Sequence, residues 1–311
     1  MKLSIIIPVY NEQDNLKPLL DELNTVRKII NADTEVIFVD DGSTDSTNSI
    51  LKEFAANNKS IKLIAFNRNY GQTQAIAAGI ANSKGDTIIL MDSDLQNDPK
   101  DIPALLAQLN NYDVASGWRK NRKDKFFTRI LPSNTANFLI SFFTGVKLHD
   151  YGCTLKAYKK EFLSSISIHG EMHRFLPAYC AWQGARICEV IVNHRARKSG
   201  KSKYGLNRIF KVILDLLVVK FLLSYLTKPI YVFGGTAIIS FILGAMVYLF
   251  VIIRKLFYSG EWLSPLFFVG LILWFLSILC LLMGLLAEVM VRMYFESRGY
   301  SVYRIKEKNN I

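Results

Sequence analysis

The chain has 311 residues, enough for two domains, and carries 38 Lys and Arg against 26 Asp and Glu, a formal net charge of +12. This excess indicates an anionic partner, which can be a nucleic acid, a membrane surface or a phosphorylated substrate. The four cysteines show no CxxC or Cys/His metal spacing, which argues against a zinc-type site and indicates reduced, buried thiols. The N-terminal stretch MKLSIIIPVYNE has too short an apolar core to predict a signal peptide.

The first 120 residues alternate short apolar runs with helical patterns. The predicted strands are 3–7, 35–39, 61–66, 86–91 and 113–117. The predicted helices are about 14–30, 44–57, 72–83 and 100–110. Short strands joined by helices of about 10–15 residues predict βαβ units and a parallel sheet.

Polar stretches follow the predicted strands at the points where four of them end. These stretches are PVYNE (8–12), DDGSTD (40–45), NRNYG (67–71) and DSDLQ (92–96). In open parallel sheets, ligands bind beyond the carboxyl ends of the strands, so four such loops predict a binding site there. The chain has no GxGxxG after its first strand and no GxxxxGK[ST], which argues against dinucleotide dehydrogenases and P-loop enzymes.

The loop after the fourth strand reads MDSDLQ (91–96) and concentrates acidic side chains. If the extended geometry persists, Asp92, Asp94 and Gln96 point to the same side of the chain. Two unpaired carboxylates at that spacing would repel, and carboxylate and amide oxygens suit Mg²⁺ or Mn²⁺. An acidic pair at a strand end is by itself commonly structural, but the four loops together predict a site that meets a diphosphate through a metal ion.

The C-terminal part of the sequence is predicted to enter a membrane. Residues 229–253 and 263–287 contain no charge, and each is longer than the roughly 20 residues that span a bilayer. The preceding segment, 206–227, is predicted to be an amphipathic helix lying in the membrane interface, with a buried packing helix as the alternative. Basic residues flank the two spans, which predicts a cytoplasmic N-terminal domain and a cytoplasmic basic tail, 289–311.

Taken together, these motifs resemble those of a known family. SIIIPVYNE, VIFVDDGSTD, NRNYGQ and MDSDLQNDP are similar, in order and spacing, to the GT-A glycosyltransferases of family two. LHDYGCTLKAY (148–158) and RKSGKSKYG (197–205), followed by two spans, resemble the polyprenyl-phosphate glycosyltransferases, closest to the bactoprenol glucosyltransferase and dolichyl-phosphate mannose synthase group.

The resemblance implies an α/β fold of the GT-A type. Its Rossmann-like mixed sheet would carry helices on both faces, and interfacial helices and a two-helix transmembrane hairpin would follow. The implied division is a cytoplasmic catalytic domain at 1–205, a juxtamembrane helix at 206–227, two transmembrane helices within 228–288 and a tail at 289–311.

The resemblance also implies which residues bind the donor. Nucleotide-binding roles fall on Pro8, Tyr10, Glu12, Asp40, Asp41, Asp92 and Ser93. A Mg²⁺ or Mn²⁺ ion would be held at Asp92, Asp94 and Gln96, with Asp94 counted as catalytic. Ser93 departs mildly from the Ala or other small residue that the family mostly has between the two acids.

On the acceptor side, the segment 119–129 holds six basic residues and one Asp. Arg129, counted as catalytic, and Ser133 match the acceptor-phosphate pair of the dolichyl-phosphate mannose synthases, whereas Arg119 and Arg122 are vaguer matches. Gly200 and Gly205 flank a loop that is expected to close over the donor, which would bring Arg197 and Lys203 to the diphosphate. The alternative for that loop is a polybasic segment attracted to lipid headgroups, and the two roles are compatible.

Asp150 lies in a motif that is often proposed to supply a catalytic base. A lipid phosphate, with a second pKa of about 6, is already largely anionic at neutral pH and needs no base in order to attack. Asp150 is therefore counted as catalytic either as this base or, as the ionisation of the phosphate favours, as a group that orients an arginine or the sugar; the alternative is a structural Asp that caps the loop following a helix.

The predicted activity is inverting transfer of one sugar from a nucleotide-sugar donor to polyprenyl phosphate, with undecaprenyl phosphate favoured. The QxxRW motif of processive polysaccharide synthases is absent from the sequence, which favours a single addition. UDP-glucose is the favoured donor; the alternatives are another UDP-sugar, of the aminoarabinose or N-acetylhexosamine type, and GDP-mannose. A different class, a non-catalytic membrane assembly module, stays open, as does a homo-oligomer, and a nucleic-acid binder would not explain the spans.

Overall fold

The computed structural model describes residues 2–30, 32–120, 131–163, 172–195, 229–258 and 264–298. The chain falls into two compact units, Met1–Val219 and Lys220–Ile311. The predicted helix at 206–227 and the predicted boundary at 205 lie outside the described residues.

The first unit is built on a seven-stranded sheet with the order β3-β2-β1-β4-β6-β5-β7. Its strands are β1 Lys2–Val9, β2 Asp33–Asp40, β3 Ile61–Ala65, β4 Thr87–Leu90, β5 Val114–Trp118, β6 Lys156–Lys159 and β7 Ile187–Ile191. The first five coincide with the predicted strands to within a few residues. The βαβ pattern alone predicts a wholly parallel sheet, and this prediction is wrong. The sheet is mixed, as the family resemblance implies.

The departure from a parallel sheet is due to β6, which lies antiparallel between β4 and β5. Since β6 runs in the opposite direction, its first residue lies at the edge where β4 and β5 end. The loop before β6 is thereby brought to the carboxyl edge of the parallel strands. β7 pairs parallel with β5, so residues 192–195 also emerge at this edge.

Helices cover both faces of the sheet, as predicted. The α-helices in the described part of this unit are α1 Gln13–Ile29, α2 Thr47–Asn57, α3 Gln72–Asn82, α4 Ile102–Gln108, α5 Leu131–Thr144 and α6 Leu176–Trp182. Alternate residues of β1 enter two cores: Ile5 and Ile7 pack with α1, α2 and α4, and Ile6 packs with α3 and α6. This alternation is the side-chain period of a strand buried on both faces.

The described part of the second unit forms two antiparallel helices, α7 Ile230–Tyr258 and α8 Pro265–Arg298. The hydroxyl of Ser277 donates to the carbonyl of Ala237 at 2.8 Å, and the Trp274 indole donates to the carbonyl of Phe241 at 3.3 Å. Both helices are long and apolar enough to cross a membrane, and many of their large apolar side chains are exposed. α8 continues about three turns past the predicted span end at 287, because a helix need not stop where its apolar stretch does.

Asp113 lies just before β5 and links it by ion pairs to the end of β6 and the start of β7. These strand ends lie on the side of the sheet far from the predicted site. Its carboxylate oxygens lie 2.7 Å from Lys159 Nζ and 3.2 Å from Arg186 Nε. Although burial acts to raise it, hydrogen bonds from Arg186 and Lys159 lower the pKa of Asp113 to about 2. The carboxylate therefore stabilises the fold most above the pKa of an unfolded Asp, about 4, and loses this effect as the pH falls towards 2.

We expect Asp113→Asn to lower stability at pH 7 by about 1–2 kcal/mol, allowing for solvent screening at exposed Arg186. The difference from the wild type should shrink between pH 4 and pH 2, where the wild-type carboxyl becomes protonated. Thermal unfolding of the detergent-solubilised protein, followed by tryptophan fluorescence across this pH range, measures both effects. Equal midpoints at pH 7 would contradict the prediction.

Candidate functional site

The loops after β1 and β2 are joined to each other at the carboxyl edge of the sheet. Asn11 has a positive φ of 54°, a conformation that Asn tolerates well. Its backbone N–H donates to Ser43 Oγ at 2.9 Å, and its side-chain oxygen accepts from the backbone N–H of Thr44 at 2.8 Å. Of the predicted nucleotide-binding residues, Pro8 lies buried in β1, and Tyr10 and Glu12 are half-buried on this joined pair of loops.

The carboxylates of Asp40 and Asp41 are buried and bonded within the protein. Asp40 accepts from the backbone N–H of Ser43 at 2.9 Å and from the amide of Asn48 at 2.8 Å. Asp41 accepts from the backbone N–H groups of Tyr70 and Gly71, at 2.7 and 2.9 Å. These acids therefore shape the loops of the site, and direct contact with a nucleotide stays a prediction for both.

A close backbone approach holds the loop after β3 against the loop after β2. Gly42 has φ +72°, and a Cβ placed on it would lie 2.4 Å from the carbonyl carbon of Arg68, so a side chain has no room there. The Arg68 guanidinium lies 4.6 Å from the ring centre of Tyr70, whose side chain is largely exposed. This loop presents an exposed aromatic ring to the same edge.

Asp92 and Asp94 lie together, but not through strand alternation as the sequence suggests. β4 ends at Leu90, Leu95 has a positive φ of 61°, and Asp94 Oδ1 accepts from the backbone N–H of Gln96 at 3.1 Å. The chain therefore turns after Asp94, because a side-chain acceptor replaces the strand's hydrogen bonding. The rule that residues i, i+2 and i+4 share one side does not apply, and a metal-ligand role for Gln96 stays a prediction.

The electrostatic environment of Asp92 is that of a crowded acidic site. Burial and the charge of Asp94 raise the pKa of Asp92 to about 6. Opposing this, Thr154 hydrogen-bonds to the carboxylate, and Arg119 and Arg174 attract it. Gln72, at the start of α3, donates its amide to Asp92 Oδ1 at 2.7 Å. Sequence reasoning missed Gln72, Thr154 and Arg174, since none belongs to a strand-end acidic motif.

The donor set at Asp92 and Asp94 fits a hard divalent cation. A positive charge between the two side chains would offset the repulsion that Asp94 exerts on the ionised carboxylate of Asp92. Among the described residues, no group of three or more His, Cys, Asp or Glu side chains is arranged to hold a metal ion. Mg²⁺ and Mn²⁺ sites that use one or two protein carboxylates take their remaining oxygen ligands from water and a phosphorylated ligand. Asp92 and Asp94 therefore meet the requirement for such a shared site.

Arg119 and Asp150 form a buried ion pair at the same edge. Arg119 Nε and Nη2 donate to the two carboxylate oxygens of Asp150 at 2.7 and 2.9 Å. Although burial acts to lower it, Asp150 raises the pKa of Arg119 further above its ordinary value. Gly152 lies against this pair, and a Cβ there would lie 3.2 Å from Arg119 Nη2.

The other predicted acceptor-side residues lie largely outside the described part of the chain. Arg122, Arg129, Arg197 and Lys203 fall in the undescribed segments 121–130 and 196–228. Ser133 lies in the first turn of α5, and its side chain is outside the described part. The roles of all five stay predictions.

Comparison with known proteins identifies relatives along nearly the whole chain. The profile of the family described as glycosyl transferase family 2 matches residues 4–167. Dodecaprenyl-phosphate galacturonate synthase of Rhizobium johnstonii is 39% identical over 313 residues, covering 99% of this chain and 93% of that protein. The undecaprenyl-phosphate 4-deoxy-4-formamido-L-arabinose transferase of Pseudomonas fluorescens is 36% identical, covering 95% of this chain and 86% of that protein.

Solved structures share their fold with about two thirds of the chain. Glucosyl-3-phosphoglycerate synthase from Mycobacterium tuberculosis, crystallised with Mn²⁺, uridine diphosphate and phosphoglyceric acid, superposes with a TM-score of 0.54. The identity is 17%, and the match covers 70% of this chain and 78% of that one. At this identity the likeness concerns the fold, which is the GT-A type.

Proposed function

Because the chain belongs to glycosyltransferase family 2, we propose that it transfers a single sugar from a nucleotide-sugar donor to a polyprenyl phosphate, with undecaprenyl phosphate as the favoured acceptor. The observation that carries the proposal is the position of Asp92. Its carboxyl is influenced both by Asp94, the second acid of the candidate donor site, and by Arg119, the described arginine of the acceptor side. One edge of the sheet thus has the groups needed for a diphosphate–metal complex and for a second anion.

The relatives favour a donor other than UDP-glucose. Their names specify galacturonate and 4-deoxy-4-formamido-L-arabinose, which supports the alternative of an aminoarabinose-type UDP-sugar over the glucose expected from the motifs. We propose that the donor is a UDP-linked sugar of the uronic acid or 4-amino-arabinose class.

The reaction requires two anions to approach each other. An oxygen of the lipid phosphate attacks the anomeric carbon, the bond from that carbon to the donor diphosphate breaks, and the nucleoside diphosphate leaves with inversion. Asp150 uses two of the five guanidinium N–H groups of Arg119, and the others are donors for a phosphate. Arg119 would offset the repulsion and orient the attacking oxygen, while Asp150 keeps the guanidinium plane fixed.

The carboxylates of Asp92 and Asp94 would hold the Mg²⁺ or Mn²⁺ ion. When bound, the ion supplies Lewis-acid stabilisation of charge on the leaving diphosphate. The chain's own contribution is to orient the two carboxylates: Gln72 and Thr154 hydrogen-bond to Asp92, and the backbone N–H of Gln96 donates to Asp94.

The membrane arrangement is part of the proposal. The apolar helices α7 and α8, with their exposed apolar side chains, support anchoring in a bilayer, where a polyprenyl phosphate is found. The basic flanks support a cytoplasmic orientation for residues 1–205 and 289–311, with two spans within 228–288.

A donor panel tests the proposal. The full-length protein in detergent is incubated with undecaprenyl phosphate and one donor at a time: UDP-galacturonate, UDP-4-deoxy-4-formamido-L-arabinose, UDP-glucose, UDP-N-acetylglucosamine or GDP-mannose. Each mixture contains Mg²⁺, Mn²⁺ or EDTA, and lipid products are identified by mass. We expect one sugar added per lipid, only with metal, and fastest with one of the first two donors.

Other outcomes separate the alternatives. Fastest transfer from UDP-glucose would overturn the donor proposal but keep the reaction class. Absence of product from every donor, with UDP binding intact by calorimetry, would support a non-catalytic membrane module. Asp113→Asn serves as the control, since its ion pairs lie at the far end of the sheet and transfer by this variant should match the wild type.

A further inference from the structure

The short loop that carries Asp150 is held through its backbone by side chains of three other elements. All three backbone N–H groups of residues 149–151 and two of their carbonyl groups bond side chains of α5, β6 or β7. Loops at a protein surface ordinarily direct such groups to water or to their own turns. This arrangement indicates that the exact place of the loop matters.

Glu189, on β7, holds the first half of the loop. Its Oε1 accepts from the backbone N–H groups of His149 and Asp150, at 2.8 and 3.3 Å. Its Oε2 lies 2.7 Å from Nδ1 of the His149 ring, which stacks on Trp118 at a centroid distance of 4.3 Å. A carboxylate bound to two successive N–H groups fixes the peptide plane that precedes the Asp150 side chain.

Asn137, on α5, holds the loop from the other side. Its amide nitrogen donates to the carbonyl of His149 at 2.7 Å, and its amide oxygen accepts from the backbone N–H of Tyr151 at 3.3 Å. The one side chain therefore bridges the residues on either side of Asp150.

Lys156, on β6, holds the last residue of the loop, Tyr151. Its ammonium donates to the carbonyl of Tyr151 at 2.9 Å, and the residue is only 3% exposed. Burial lowers the pKa of Lys156 to about 8, although the nearby Asp150 carboxylate acts in the opposite direction. A lysine buried in a strand is costly for folding, and side chains that break the rules of stability concentrate at functional sites.

We propose that Asn137, Lys156 and Glu189 are positioning residues that hold Asp150 against Arg119 during transfer. None of them is placed at the reacting atoms; they act through the loop backbone. The inference rests on the proposed function, because the task of the Arg119–Asp150 pair is to orient the acceptor phosphate. Loosening the loop would let the guanidinium plane move, and misplacement by about 1 Å can cost about a hundredfold in rate.

Kinetics of Lys156→Met and Glu189→Leu test the positioning role with the donor that the wild type uses, because Leu removes the oxygen that accepts from both loop N–H groups, whereas Gln would keep an acceptor. We expect turnover to fall by at least about tenfold, with the KM for the donor within about twofold of the wild type. Because Met fills a similar volume without a charge, Lys156→Met should keep its unfolding midpoint near the wild-type value. Asp113→Asn, which removes a carboxylate at the opposite ends of β5, β6 and β7 and outside the site, should lose stability and keep its turnover.

A double-mutant cycle separates positioning from general stability. Added to Asp150→Asn, either substitution should cost less than about a further twofold, since its effect passes through Asp150. Losses that multiply in the double variants would overturn the proposal, as would wild-type turnover in both single variants.

Hydrogen exchange measured by mass spectrometry keeps the test independent of activity. Peptides covering 148–153 should exchange faster in Glu189→Leu and Lys156→Met than in the wild type or in Asp113→Asn. Unchanged exchange in both variants would refute the proposal that these side chains hold the backbone of residues 149–151. Faster exchange together with a wild-type enzyme that transfers no sugar would instead place the failure with the proposed function.

Discussion

Asp94→Ala is expected to abolish sugar transfer, with a loss of at least about a thousandfold, while the protein stays folded in membranes. The carboxylate is buried beside Asp92, and the two acids are the described pair that can hold a divalent cation at the carboxyl edge of the sheet. Under the proposed function, loss of the Asp94 carboxylate would weaken binding of the metal ion, and charge on the leaving diphosphate would then lose its stabilisation. Turnover at saturating donor and acceptor, with Mn²⁺ varied from micromolar to millimolar, measures the effect.

A matched control for Asp94→Ala lies four residues further along the same loop. Asp98 is also buried, but its carboxylate is paired with Arg195 at 2.6 Å and accepts from the backbone N–H of Lys100. Asp98→Asn should lower the unfolding midpoint and leave turnover within about threefold. A near-normal rate in Asp94→Ala would remove the metal role from this acid.

Asp150→Asn is expected to lower turnover by about ten- to a hundredfold and to leave the pH dependence above about pH 7 unchanged. The side chain of Arg119 donates two N–H groups to the carboxylate of Asp150, so under the proposed mechanism the substitution loosens the guanidinium plane without removing a group that takes a proton in the reaction. The acceptor phosphate is already ionised in this pH range. Rates from pH 6.5 to pH 9.5, compared with those of Arg119→Lys, measure the effect, because lysine keeps the charge but cannot form the bidentate pair.

The outcome for Asp150→Asn distinguishes a base from an orienting group. A loss as complete as that of Asp94→Ala, with activity recovered at high pH, would restore the general-base role. Since breaking a buried ion pair can cost about 3–5 kcal/mol of stability, both variants are assayed well below their own unfolding midpoints. Matching losses in Asp150→Asn and Arg119→Lys would support one shared function.

Local periodicity was sufficient to predict the first five strands, the helices between them and the two long apolar helices. Each of these segments carries its own signal: β1 and β2 are buried apolar runs bounded by polar loops, and 229–253 is uncharged throughout. The carboxyl-edge loops followed from the same signals, because parallel strands end on one side of a sheet. The motif resemblance supplied the mixed sheet and the family.

Strand alternation did not account for the acidic loop after β4. The alternating spacing of Asp92, Asp94 and Gln96 suggested a continued strand, yet the chain turns at Leu95 with a positive φ. The carboxylate of Asp94 accepts a backbone hydrogen bond there in place of a strand partner. The alternation of residue types along the sequence does not reveal this competition.

The sequence by itself determined the first five strands, which helices are apolar enough for a membrane, and which acids follow β4. Only the tertiary structure decided that β6 enters antiparallel between β4 and β5 and thereby carries Asp150 to Arg119, 31 residues away in the chain. The same long-range pairing brought Glu189 and Lys156 to the loop around Asp150. Such contacts have no local signature, because they depend on which strand edges meet once the apolar faces are buried, and that choice is made by the whole sheet.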